Sequence, residues 1–266
     1  MRTTPTMLLL SSFLFAVIFA LPATTHVARP NVQMDATQII ANIKLPSTPT
    51  IKKALKFARA NMNDHTYNHV LRSWLTAQAS LSHLPTSVQD GVDTEVLAVS
   101  AILHDLGWSN NSALISPTTR FEVNGADVAR EFLKREGKGN WSERRIQLVW
   151  DAIALHTTRD INLYKEREVW LTSVGIVAEL VGPEVAIETY GGERVAVKQE
   201  EWDGIAAVFP RKGLRDFFNG VMIGLCASKP DTTYQNFVGD YGDRYLANYS
   251  TEGKKTIDFL NANMLE

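Results

Sequence analysis

The chain has 266 residues, of which 45% are hydrophobic and 21% charged. That is enough for one or two globular domains with a sizeable core. A formal net charge of −2, with no long block of like charge, gives no electrostatic footing for nucleic acid or for an anionic membrane surface.

At the N-terminus Arg2 precedes an apolar run from Met7 to Leu21, followed by PATTHVARP. The basic start, the short apolar run and the small residues around Ala23 to Thr25 predict a secretory signal peptide over residues 1–25. The run is short for a stable membrane span, which takes about 20 apolar residues; an uncleaved anchor or a buried helix is the alternative. Asn-X-Ser sequons at Asn110, Asn140 and Asn248 fit a eukaryotic secretory route, so the expected destination is secretion. The lone Cys226 permits no intramolecular disulfide and reads as a buried, inert thiol.

Residues 26–44 read as a lead-in, 45–245 as the main domain and 246–266 as a helical tail. The stretch LPSTPT marks the approach, and Thr50 is the expected cap of a helix IKKALKFARANM. TYNHVLRSWLTAQASL follows, with Tyr67, Val70, Leu71, Trp74 and Leu75 on one helical stripe and His69, Arg72 and Thr76 on another. Pro85 to Gly91 breaks the pattern. Asp93 then caps TEVLAVSAILHDL, which Gly107 terminates; its apolar residues run nearly all round, as in a central helix.

GADVAREFLKRE, SERRIQLVWDAIALHTT (capped by Ser142), VWLTSVGIVAELVG and LRDFFNGVMIGLCA give further helices. Trp74, Trp150 and Trp170 read as core packing, and His65 and His83 as surface residues. Alternating patterns are scarce, ERVAVKQ from Glu193 being the best strand. The expected class is therefore all-α, a single globular domain.

His104 and Asp105 stand in the last turn of the central helix, where an unpaired carboxylate would be costly. A divalent cation would offset that cost, and one more His and one more carboxylate would complete a nitrogen and oxygen shell. Such a shell suits Zn²⁺ first, with Fe²⁺ or Mn²⁺ as alternatives. Polar residues stranded in otherwise apolar helices are the candidates: His69 in YNHVLR, His156 in AIALHTT and Glu179 in GIVAELVG. Each has a plainer reading, such as a surface or capping His, or an Asp105 that closes the following turn.

The order His69, then His104-Asp105, then a later acid resembles the HD superfamily of metal-dependent, all-helical phosphohydrolases and hydratases. YNHVLRSW, AILHDLGW, RFEVNGADVAREFL and VWDAIALHTT, in that order, resemble its cyanamide hydratase-like branch, widespread in fungi. The resemblance implies that His69, His104 and Asp105 are metal ligands. It places the closing ligand, an Asp in the family phrase, on Glu179 of GIVAELVGP, a departure of one methylene.

It further implies His156 as a proton donor or substrate-orienting group and Asp105 as a catalytic carboxylate. Thr157 and Thr158 are implied as substrate hydrogen-bonders, and Glu122 as a substrate or supporting carboxylate. Arg72 either neutralises an anionic substrate or orients a carboxylate; the plainer alternative is a structural ion pair. The expected activity is metal-dependent addition of water to a small polar substrate. The alternatives are hydrolysis of a phosphomonoester or nucleotide, and a non-catalytic helical accessory protein.

Overall fold

The computed structural model describes residues 37–137 and 139–265. The signal-peptide segment and the start of the lead-in lie outside the described residues. Strands β1 (Thr37–Ile40) and β2 (Ile43–Pro46) form an antiparallel hairpin. Its two-residue turn puts Ala41 and Asn42 at φ 49° and 63°. Two successive positive φ values give a turn whose twist matches the flanking strands.

Helix α1 spans Pro49–Asn61 and starts two residues earlier in the chain than expected: Thr48, not Thr50, is the cap. Its Oγ1 accepts from the Ile51 N–H at 3.2 Å, and Pro49 occupies the first helical position, where no amide donor is needed. Helix α2 (Asp64–His83) is capped by Asn63, and a single turn, α3 (Thr86–Gln89), follows. Helix α4 (Thr94–Leu103) is capped by Asp93 as expected and is buried along all of Glu95 to Leu103. It packs against α1 and α2 and, further along the chain, against α6 (Glu143–Ala154, capped by Ser142) and α8 (Arg167–Val181).

Between these lie α5 (Phe121–Glu136) and the turn α7 (Arg159–Asn162). Helices α9 (Pro183–Tyr190), α10 (Gln199–Val208), α11 (Leu214–Ser228), α12 (Gly239–Tyr245) and α13 (Thr256–Asn263) complete the chain. No helix among the described residues is long and apolar enough to cross a membrane.

The most extensive packing is α2 on α8, and it depends on small residues. A Cβ on Gly175 would lie 2.4 Å from the Ala77 Cβ, so only glycine allows this approach. An ionic hub ties α6 to the start of α4: buried Arg145 reaches Asp93 at 2.7 Å and Glu95 at 2.7 Å. Trp74 and Trp170 are core residues, but Trp150 is only half-buried, with Arg130 over its ring at 4.9 Å.

The segment ERVAVKQ forms no strand. Val195 and Val197 do face the core, but the amide of Ala196 donates to the Ser80 hydroxyl of α2 instead of to a neighbouring strand. The alternation is real; the partner strand is missing.

Candidate metal centre

The His104-Asp105 pair sits just beyond α4 rather than inside it. The α-helix stops at Leu103, and residues His104–Trp108 form a 3₁₀ segment with Asp105 at φ −99°, ψ 15°. Glycines let α5 lie directly on this segment. A Cβ on Gly107 would fall 1.8 Å from the Phe121 carbonyl oxygen, and one on Gly125 would fall 2.9 Å from the His104 carbonyl. Gly107 is thus required by close approach.

His69 on α2 meets this segment. One ligand atom from each of His69, His104 and Asp105 lies within 4.8 Å of the others, and all three residues are buried. The His69 and His104 Nε2 atoms are 3.2 Å apart, and Asp105 Oδ2 is 3.5 Å from the first and 3.2 Å from the second. The opposite ring nitrogens are already committed. His104 Nδ1 donates to the Ala101 carbonyl at 2.9 Å, and His69 Nδ1 donates to the Glu179 carboxylate at 2.8 Å. A carbonyl or carboxylate can only accept, so each neutral ring presents a bare Nε2.

Two lone pairs and a carboxylate oxygen therefore face one another in a buried corner. Neither oxygen of Asp105 makes a hydrogen bond of acceptable geometry. Burial works to lower the His104 imidazole, but the neighbouring Asp105 carboxylate turns the net shift upward. Burial likewise works to raise Asp105, and His104, followed by His69, turns that shift downward. One proton can bridge only one pair of these acceptors, whereas a divalent cation meets all three. The donor set fits such an ion.

His156, just beyond α6, brings a third imidazole, its ring centroid 5.0 Å from that of His104. Its Nδ1 donates to the Ile153 carbonyl at 2.7 Å, which leaves its Nε2 bare as well. Burial, then the adjacent His104, pushes the His156 imidazole down to about 4. The ring is uncharged at neutral pH and accepts protons, so a donor role requires that it first collect one.

Glu179 is brought to the cluster at the far side of His69, through Nδ1. Its other oxygen is bonded by Arg72 Nε, and Arg211 Nε approaches it at 3.4 Å. Burial acts to raise this carboxyl, but His69 and then Arg72 hold it below its ordinary value. Arg72, fully buried, also donates to the carbonyls of Phe209 and Pro210 at 3.1 Å. Its environment is that of a residue orienting a carboxylate.

The cluster forms one end of a cavity of about 180 Å³. Trp108, Phe121, Phe218 and Phe237 wall the cavity, with Ile176 and Val177 also lining it, and among the described residues no Lys or Arg does. Thr157 lines it too and donates to Glu122 at 2.6 Å. Glu122, buried in the first turn of α5, is paired with Arg120 and does not line the cavity. Thr158 faces a neighbouring hollow of about 370 Å³, which shares Thr157 and Phe237 with the first.

His69, His104, Asp105 and His156 thus meet at one cavity, while Arg72, Glu122 and Thr158 stand around it. The rings of Phe218 and Phe237 escaped sequence reasoning. Aromatic residues at helical spacing look like ordinary core, and nothing local marks them as cavity wall.

Residues 66–180 match the family model described as HD domain. The matched segment holds His69, His104, Asp105, His156 and Glu179, and the helical body is an HD-domain fold. No curated protein matches the chain.

Proposed function

We propose that the protein is a metal-dependent enzyme that adds water to a small uncharged substrate, with cyanamide hydratase-like chemistry. The observation that carries this reading is the convergence of two bare imidazole nitrogens and an unpartnered, buried carboxylate at one end of an apolar cavity. His69, His104 and Asp105 would hold the ion, Zn²⁺ first among the candidates. When bound there, a divalent ion would acidify a water and polarise an electrophile.

The chain's own groups then handle protons. For a nitrile-type substrate, a water O–H breaks and its proton goes to His156 Nε2 as the oxygen bonds to carbon. The same proton returns to the substrate nitrogen, and a proton shift within the product yields the amide, so the sum is addition of one water. Asp105 Oδ1, buried and unpartnered, is an acceptor that can orient the water. Glu179 fixes His69 with Nε2 toward the cluster, and Arg72 fixes Glu179; supporting carboxylates of this kind set the ring's tautomer and orientation.

Phosphate-ester hydrolysis is the second reading. It needs, besides the ion, several Arg or Lys side chains lining the cavity to hold phosphate. Arg120 and Arg159 line the outer hollow, and Arg72 is committed to Glu179. Elemental analysis before and after chelation, followed by assays on cyanamide and a nucleotide panel, tests the proposal. A metal near one per chain with release of urea is the expected result. A metal-free chain whose stability ignores chelators would favour the accessory-protein reading. Secretion is proposed alongside: all three sequon asparagines are exposed, and a mobility shift on deglycosylation would follow.

A further inference from the structure

The cavity is larger and far less polar than cyanamide requires. The imidazoles, Asp105 and Thr157 supply its polar lining; the rest is ring and hydrocarbon. Trp108 and Phe121 stack at 4.9 Å with 24° between planes, Phe218 meets Trp108 edge-on at 6.0 Å, and Phe237 meets Phe121 at 6.5 Å. An apolar protein cavity of about 150 Å³ stays dry and takes up benzene, and this one measures about 180 Å³. No Lys or Arg of the described residues lines it, so an anion entering it would have the bound ion and no basic side chain as counter-charge. The indole N–H of Trp108 is buried and lacks a hydrogen-bond partner. A donor left in that condition costs about 1–3 kcal/mol, which a neutral acceptor on a ligand would recover.

We infer that the substrate is an uncharged molecule with a benzene-sized apolar body carrying one small hydratable group, in the manner of an aryl or branched-alkyl nitrile. The body lies among the four rings and the reacting group lies at the His69–His104–Asp105 end. The inference rests on the water-adding reading given above. It also assigns substrate choice in part to Phe218 on α11 and Phe237 ahead of α12, both outside the segment matched as HD domain.

The test separates binding from turnover. Binding of fluorobenzene to the full chain is followed by ¹⁹F NMR with and without metal, and benzonitrile, phenyl phosphate and cyanamide are tried as competitors. Saturable binding displaced by benzonitrile, and by neither of the others, is the expected result. Phe218→Trp, which fills the cavity, and Phe237→Ala, which opens it, should each weaken fluorobenzene binding about tenfold or more, the scale set by small volume changes in apolar pockets. Metal content and the circular dichroism spectrum should stay unchanged, which identifies a folded variant.

Absence of saturable binding would overturn the inference. So would binding that both folded variants retain, since the probe would then sit elsewhere. Turnover is read as kcat/KM on benzonitrile against cyanamide. Preference for cyanamide sinks the apolar-substrate claim and leaves water addition standing. Cavity binding with normal metal content and no turnover of either nitrile upholds the apolar preference and removes the hydration reading.

Discussion

Two regions of the molecule build the cavity by different means. The segment 66–180 supplies His69, His104, Asp105 and His156 from elements of the main core: α2, the residues after α4 and those after α6. Residues 214–249 supply Phe218 and Phe237 from a satellite cluster in which Met222, Leu225, Cys226 and Val238 are buried together with Phe121. To coordinate an ion, the first region would have to hold its atoms to within tenths of an ångström. The second need only present a surface. On the proposed reading, chemistry falls to the main core and part of the selection to the smaller cluster, which meets the first at Phe121 and Trp108.

The largest effect that tests this division is expected from Asp105→Ala. Metal content should fall from about one per chain to background, with activity lost, while the helical spectrum survives. Retained metal would show that the ion is held elsewhere. Met222→Ala, deep in the satellite cluster, should lower stability by about 2 kcal/mol or more, as deleting a buried side chain does, measured by urea unfolding. Its metal content should not change; a drop would erase the distinction between the two regions.

Glu179→Gln probes the support of the ligands. Metal affinity should fall by about 10- to 100-fold at unchanged stoichiometry, the usual cost of removing a carboxylate that orients a ligand. Complete loss of metal, equal to that of Asp105→Ala, would make Glu179 a ligand outright.

The smallest effect is a pH dependence. Burial acts to raise Glu122, but Arg120 pulls its carboxyl below the ordinary value of 4.5. A carboxyl depressed in the folded state adds stability above its unfolded value and loses it as pH falls through the folded one. Urea midpoints should therefore drop on acidification below about 4.5, and Glu122→Gln should flatten that slope.

The cluster of His69, His104 and Asp105 was legible in the sequence because a His or Asp in or beside an apolar helix is an electrostatic anomaly. The central helix, with its Asp93 cap, was legible for the opposite reason, being apolar all round. The hairpin was not: Ala41-Asn42 closes a tight turn without the glycine that normally marks one. Val195 and Val197 misled because alternation reports which side faces the core, not whether a partner strand exists. The place of Glu179 was beyond reach, since its spacing along the chain carries no information about which nitrogen of His69 it meets.

His104 and His156 share one further trait. Each follows a Leu at a helix end and folds its ring back onto the carbonyl three residues earlier, at Ala101 and Ile153. The same side chain therefore stops a helix and serves the cavity. Because the carbonyl ends of helices carry partial negative charge, α4 and α6 both bring their electronegative poles toward this corner. A cation would find the field already drawn inward before it touched a ligand, and replacing either ring would unfasten a helix end as well as remove a group from the cavity.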